Sequence, residues 1–358
     1  MVKWDRLAES KSVVLFATTS VIQAVVLICL QLRIFTRNVY GWLNLNSELG
    51  GAADACLYSG TFDSFMILTF ESVMFIFLYL FQLYVCISAV LHKNTIQVFM
   101  IALTNFCYVV LGVVQLIETK ETHNKILNDC PMIAFDPEFM IREVPNIIMI
   151  TLLAFVMGYL SFKLYKQFGW IIYKKIGDDI QMQSRYRTRL IFLMLLKLNL
   201  LMILLFSILI VPYSINGSEK TLVYIDFIFF MSVSLFNALA YKSITNEYKN
   251  GMNSFLTFWV IAMAVYGWFF YIGFSLTFAY KLYIGSIFGI FFLLLGVLTF
   301  VIGISVTKNF GKGLKEYLTI HKSGIKKIEE YEYKFRNSFG LKINVHRDMT
   351  YEIFTFEA

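Results

Sequence analysis

Apolar residues in this chain are grouped into eight long runs, and most charged residues lie between the runs. A hydrocarbon layer about 30 Å thick is crossed by about 20 helical residues, so each run is long enough to span a bilayer once. Backbone groups in lipid must be hydrogen-bonded within their own segment, which predicts an α-helix for every run. We therefore predict an all-α, polytopic transmembrane helix bundle of about eight spans. The runs are residues 13–35, 62–91, 96–117, 147–168, 190–211, 222–241, 255–280 and 284–306.

The composition agrees with this fold class. Hydrophobic residues make up 58% of the 358 residues and charged residues only 15%, and the mean hydropathy is +0.66. A soluble domain cannot bury that much apolar surface, so we expect the lipid bilayer to be the main partner. We divide the chain into an amino-terminal segment (1–12), a transmembrane helical domain (13–306) and a basic carboxyl-terminal tail (307–358).

Lys and Arg residues are concentrated in alternate connections. With eight spans, one side of the membrane carries 23 of them and the other side 7, and Lys197 lies within a span. The excess remains when the long tail is left out, and the connection at residues 163–189 contributes most to it. The positive-inside rule then predicts that both termini are cytosolic.

Three residues with secretory-pathway chemistry lie in connections on the predicted lumenal side. Asn216 begins the sequon Asn216, Gly217, Ser218 and is a candidate glycosylation site, the alternative being a chance tripeptide in a polar turn. Cys56 and Cys130 lie in the first and third connections. An oxidising compartment would allow a disulfide between them, and two free thiols are the alternative.

Charged residues inside the spans are few, and they point to one candidate intramembrane polar site. Glu71 and Lys197 both fall near the middle third of the bilayer, where an unpaired charge is costly. One hypothesis is an interhelical ion pair between them. The alternative is that Lys197 extends to the cytosolic headgroups, while Glu71 is protonated or faces a wet lumenal vestibule.

Two further patterns indicate packing and lipid contact. Gly285, Gly289, Gly296 and Gly303 form a stripe on the last span that would let a neighbouring helix approach closely. Basic residues of the fourth connection are candidates for contacts with anionic lipid headgroups, although topology determination is the plainer explanation. These basic residues are Lys174, Lys175, Arg185, Arg187 and Arg189.

Motifs for catalysis and for cofactors are missing from the sequence. The four histidines have no metal-ligand spacing, and there is no phosphate-binding loop or nucleophile elbow, so we expect no enzyme activity, metal or cofactor. The tail mixes basic and acidic residues, which argues against nucleic-acid binding. All four prolines, including Pro145, are placed in connections or at span ends, which argues against the interrupted helices of many transporters.

Several short segments resemble uncharacterised fungal Golgi apparatus multi-pass membrane proteins. The resemblance covers roughly residues 10–240, and its most specific piece is HKNTIQ at residues 92–97. It implies a fungal protein of the secretory pathway, with the Golgi as its location and no established reaction or ligand. The other matching segments are Ile22, Gln23 and Ala24, then Gln115, residues 173–179 (YKKIGDD), Tyr186, Ile191, Phe192, Leu195, Leu196 and Lys197.

The sequence thus locates the protein better than it explains its activity. We predict an integral membrane protein of the secretory pathway with a trafficking, scaffold or membrane-organisation role. One alternative is a small-solute or lipid transporter that uses polar faces around Glu71 and Lys197. Another is a seven-helix receptor, which would require an exterior amino terminus. Membrane-protein partners and self-association are left open.

Overall fold

The computed structural model describes residues 11–48, 61–92, 94–129, 139–176, 180–215, 220–280 and 283–312. Within these ranges the chain forms eight α-helices, each long and apolar enough to cross a membrane. The predicted helical membrane fold with eight spans is confirmed. The helices are α1 (Lys11–Glu48), α2 (Thr61–Leu91), α3 (Thr95–Asp129), α4 (Phe139–Ile176), α5 (Ile180–Ile215), α6 (Lys220–Asn246), α7 (Lys249–Tyr280) and α8 (Ile284–Lys308).

Several helices continue well beyond the apolar runs that predict them. Helix α1 has 38 residues and α3 has 35, against about 20 needed for one crossing. Helix α4 also starts before its candidate membrane span, which begins at Glu143, so Pro145 lies inside the helix but near the end of the span, as the sequence predicts. A proline has no backbone N–H, so α4 lacks one hydrogen bond of its ladder at this point.

The eight helices form two four-helix bundles. In the first bundle, α1 and α3 each contact both α2 and α4. In the second bundle, α5 and α7 each contact both α6 and α8. Helix α2 packs against α5, and α3 makes smaller contacts with α5 and α8. Each bundle is therefore a closed ring of four helices with its own interior, and the two rings are joined mainly through α2 and α5.

Large apolar side chains cover the outward faces of both bundles. Phe155 and Tyr159 of α4 and Ile228 and Leu235 of α6 are all more than half exposed. A contiguous apolar surface of this kind is costly in water and favourable in hydrocarbon. The outer surface therefore fits a lipid bilayer environment, as the composition predicts.

The HKNTIQ segment includes the amino terminus of α3, which begins at Thr95. Asn94 precedes α3, and its Oδ1 atom accepts the backbone N–H groups of Ile96 (3.0 Å) and Gln97 (3.4 Å). This is the usual side-chain cap of a helix amino terminus, where backbone donors lack helical partners. The amino acids that carry the strongest family resemblance therefore include a structural cap.

The glycine stripe of α8 faces α7 of the same chain. At Gly289 and Gly296 an added Cβ atom would overlap a side chain of α7, and at Gly303 it would lie 2.8 Å from one. Gly285 differs, because no described atom lies within 4 Å of an added Cβ there. Three of the four glycines thus lie at a close helix contact. The pairs are Gly289 with Phe270, Gly296 with Met263 and Gly303 with Leu256.

We expect Gly289→Ala to destabilise the second bundle. The new methyl group would overlap the ring of Phe270, and overpacking of this kind typically costs about 1–3 kcal/mol. Thermal unfolding of the purified protein in detergent should show a lower melting temperature. Gly285→Ala is the matched control on the same helix and should melt like the wild type. Equal melting temperatures for both variants would contradict the close contact between α7 and α8.

Candidate functional site

Four ionisable side chains meet inside the first bundle, near its predicted lumenal end, and each comes from a different helix. They are Arg37 of α1, Glu71 of α2, Glu118 of α3 and Glu143 of α4, and none is more than 5% exposed. We call these four residues the charged cluster. Ionisable groups buried at membrane depth are costly, so a group of four is the first place to look for function.

One half of the charged cluster is an ion pair. Arg37 Nη2 lies 2.8 Å from Glu143 Oε1. The same guanidinium donates to Asn38 Oδ1 from Nη2 (2.7 Å) and Nε (3.1 Å), and Thr119 Oγ1 donates to Glu143 Oε1 at 3.4 Å. The charges of Arg37 and Glu143 therefore compensate each other inside the bundle.

The other half of the charged cluster is a pair of carboxyl groups. Glu71 and Glu118 lie close enough to interact electrostatically. Glu118 Oε1 also accepts the backbone N–H groups of Ile284 (2.7 Å) and Tyr283. Because α8 begins at Ile284, this carboxyl group lies at the positive end of a helix dipole. Glu118 thereby connects α3 of the first bundle with α8 of the second.

The charged cluster contains more acidic than basic groups. Arg37 compensates Glu143, and the amino terminus of α8 supplies a partial positive charge to Glu118. A hydrogen bond between two ionised carboxylates is impossible because neither has a donor, so the pair of Glu71 and Glu118 needs a proton to form one. Oε2 of each of these two residues is buried and has no hydrogen-bond partner in the described part of the chain.

A triad of amide side chains lies next to the charged cluster. Asn146 Nδ2 donates to Gln31 Oε1 at 3.1 Å, and Gln31 Nε2 donates to Gln115 Oε1 at 3.5 Å. Gln115 Nε2 and Asn146 Oδ1 have no hydrogen-bond partner among the described residues. The triad therefore joins α1, α3 and α4 and retains hydrogen-bonding capacity in the bundle interior.

A second amide triad lies closer to the predicted cytosolic side. Gln23 Nε2 donates to Asn105 Oδ1 at 2.6 Å. Gln82 Nε2 donates to both Gln23 Oε1 and Asn105 Oδ1, each at 3.1 Å. These bonds join α1, α2 and α3, as expected for amides that bond across helices in a membrane.

Two tyrosines complete this polar interior. Tyr79 and Tyr108 pack edge to face with ring centroids 5.7 Å apart, and Tyr108 donates its hydroxyl hydrogen to Leu78 O at 3.1 Å. We call the charged cluster, the two amide triads and these tyrosines the polar column. Between Gln23 and Arg37 of α1 the column extends for roughly 20 Å at 1.5 Å per residue.

The structure does not bring Glu71 and Lys197 together. Lys197 Nζ lies 3.4 Å from Ser88 Oγ and 5.2 Å from the ring centroid of Tyr84. Ser88 follows Glu71 by 17 residues of the same helix, or about 25 Å. The hypothetical ion pair is therefore not formed. Lys197 lies toward the predicted cytosolic end, whereas Glu71 belongs to the charged cluster.

Three members of the charged cluster were missed by the sequence analysis. Arg37, Glu118 and Glu143 lie just outside the apolar runs, so they were assigned to connections. The helices continue through all three positions. One feature of the sequence could have indicated this cluster. One basic and two acidic residues flank spans on the same predicted side of the membrane, so they could pair there. Hydropathy alone does not show whether such residues face water or the bundle interior.

The other candidate residues lie elsewhere. Arg185, Arg187 and Arg189 are on α5, with Arg187 exposed and the other two partly buried. The predicted bridge and glycosylation site lie outside the described residues, as do residues 1–10 and 313–358, so those predictions and the domain division remain untested. Two further basic candidates, Lys174 and Lys175, lie on α4. Their side chains are not among those that the structure describes.

The sequence is similar to a UPF0658 Golgi apparatus membrane protein from Schizosaccharomyces pombe. Identity is 29% over 280 residues, which is 68% of this chain and 76% of the relative. This similarity confirms the predicted resemblance to an uncharacterised fungal family of membrane proteins. No family model and no solved structure matches the chain.

Proposed function

We propose that this protein is a multi-pass Golgi membrane carrier that moves a small solute or lipid together with protons. The charged cluster is its proton-binding site. The observation that carries the proposal is the meeting of three buried carboxyl groups and one guanidinium, one from each helix of the first bundle. The name of the similar protein from S. pombe supports the Golgi as the compartment.

The acidic excess of the cluster supports proton binding. An ionised carboxylate without a compensating charge is costly in an apolar interior, and carboxyl groups at membrane depth commonly relay protons in pumps and transporters. Arg37 pairs with Glu143, but no described cation pairs with Glu71 in the same way. Binding or release of one proton by the carboxyl pair therefore changes the electrostatic balance of the whole cluster.

The position of Glu118 supports a link between protonation and helix arrangement. This carboxyl group lies near Glu71 and accepts the first backbone N–H groups of α8. A proton on Glu118 weakens its attraction to the α8 dipole, whereas a proton on Glu71 leaves it intact. The proton's location within the pair thus alters a contact between the two bundles, which is what coupled transport requires.

Pro145 adds one backbone acceptor near the charged cluster. It lies in α4 between Glu143 and Asn146, two residues of the polar column. Because proline has no backbone N–H, one carbonyl group a turn earlier lacks its helical donor, although α4 continues through this point. The trafficking, scaffold and receptor roles remain predictions.

The proposal is tested by measuring Golgi pH with and without the protein. A ratiometric pH indicator is targeted to the Golgi lumen in cells of the source organism from which the gene is deleted. We expect deletion to shift lumenal pH and the wild-type gene to restore it. Glu71→Gln should fail to restore it, because an amide cannot bind and release a proton.

Glu121→Gln is the matched control, since it removes the same charge from a partly exposed position three residues after Glu118 on α3. It should restore pH like the wild type. Fluorescent tags on all three forms check that they reach the Golgi in equal amounts. Unchanged lumenal pH after deletion, or full restoration by Glu71→Gln, would refute proton-linked transport. Location of the wild-type protein elsewhere would refute the Golgi assignment.

A further inference from the structure

A pocket lies where α5, α6 and α8 meet, at the predicted cytosolic end of the second bundle. The pocket is an open cleft whose enclosed volume is only about 20 Å³, room for about one water molecule, so a larger ligand would bind at its mouth. Its lining includes Arg185 and Arg189 of α5. Asn309 and Phe310, which follow α8, form another side. This end of the second bundle is far from the charged cluster, so the pocket is a separate feature of the molecule.

The two arginines are presented by one face of α5. They are four residues apart, so their side chains lie one helical turn from each other. Arg185 is held in place, since Nη1 donates to Lys312 O (3.0 Å) and Nη2 to Gln181 Oε1 (3.4 Å). Arg189 makes no hydrogen bond among the described residues, although Glu247 lies close enough to interact with it electrostatically. Its donors are therefore available to a ligand.

The opposite wall of the pocket is built from the turn between α6 and α7. Glu247 has a left-handed backbone (φ 53°), and the next backbone N–H, of Tyr248, donates to Ser243 O at 2.9 Å. Glu247 Oε2 accepts the backbone N–H of Gly311 at 2.9 Å. Among the described residues, Glu247 is the one acidic side chain of the lining, and it anchors the segment that follows α8.

Basic residues exceed acidic ones around the pocket. Lys242 and Lys249 line an adjoining groove around Glu247, and Lys312 lies beside Asn309 with Nζ 3.4 Å from its Oδ1. Together with the two arginines, these residues outnumber the one carboxylate that the described part of the chain places there. The local potential therefore favours an anion.

We propose that this pocket binds the phosphate group of an anionic lipid headgroup. Planar guanidinium groups match the oxygen geometry of phosphate, and the hydrogen bonds are charge-assisted. A lipid source is favoured because the pocket lies where the candidate spans of α6 and α8 end. Its lining includes Ile244 and Val306, and Arg189 immediately precedes an apolar run. This inference is independent of the proposed transport function.

Binding is measured by microscale thermophoresis of the full-length protein in neutral detergent. The probes are dioctanoyl phosphatidic acid, dioctanoyl phosphatidylcholine and glycerol phosphate as a free headgroup. We expect phosphatidic acid to bind more tightly than the other two. Arg189→Gln should weaken its binding about tenfold through loss of charge-assisted hydrogen bonds. Arg189→Lys should give an intermediate loss, because it keeps the charge without the planar fork.

Lys163→Gln is the charge-matched control, on an exposed position of α4 on the same predicted side. It should bind phosphatidic acid like the wild type. An equal loss in Lys163→Gln and Arg189→Gln would show diffuse surface attraction and overturn the pocket. Equal affinity for glycerol phosphate and phosphatidic acid would overturn the lipid source. Equal affinity for phosphatidylcholine and phosphatidic acid would overturn anion recognition.

Discussion

Replacing Arg37 with Met should lower the free energy of unfolding by about 3–5 kcal/mol, because it leaves the Glu143 carboxylate buried without its partner. The guanidinium and carboxylate are 2.8 Å apart, and neither side chain is more than 4% exposed. Two further hydrogen bonds, to Asn38 Oδ1, are lost with the guanidinium. Unfolding of the purified protein in mixed micelles with increasing denaturing detergent measures the change.

Two further variants show whether this loss comes from the ion pair. Arg33→Met removes a positive charge from an exposed position one turn earlier on α1 and should change stability by less than about 0.5 kcal/mol. The double variant Arg37→Met, Glu143→Leu should recover much of the stability, since it leaves no uncompensated charge. Similar stabilities for the Arg33 and Arg37 variants would contradict a buried pair.

Replacing Glu118 with Ala should release the beginning of α8 from the first bundle. The side chain accepts the N–H groups of Tyr283 and Ile284 in the bundle interior. Each buried donor left without a partner costs about 1–3 kcal/mol, and the favourable interaction with the helix dipole is also lost. We expect faster hydrogen exchange in the first turn of α8, measured by mass spectrometry, with little change in α6.

Glu118→Gln separates the structural role of this residue from its proton chemistry. Glutamine keeps a carbonyl oxygen that can accept the same two N–H groups, but it cannot bind and release a proton. We therefore expect near-normal exchange in α8 together with failure to restore Golgi pH. Glu121→Ala is the control for the alanine variant and should leave exchange in α8 unchanged. Normal exchange in Glu118→Ala would contradict the contact between the bundles.

The number and type of the membrane elements could be predicted from the sequence. Eight apolar runs became eight helices because helix formation in hydrocarbon depends only on the length and composition of each segment. The interhelical bonding of Gln23, Gln82 and Asn105 follows the general tendency of amides in lipid to bond to partners on neighbouring helices. The ends of the helices were predicted less well, as Glu118 shows, because a helix does not stop at the first charged residue.

The sequence by itself thus determined the class of protein, the number of crossings and the likeness to a Golgi membrane protein, all of which follow from local properties of the chain. Only the tertiary structure decided that Arg37, Glu71, Glu118 and Glu143 meet in one bundle while Lys197 lies at the other end. The physical reason is that a buried charge depends on the depth and rotation of several helices at once. Those quantities are set by packing between segments distant in sequence, and hydropathy along a single segment does not contain them.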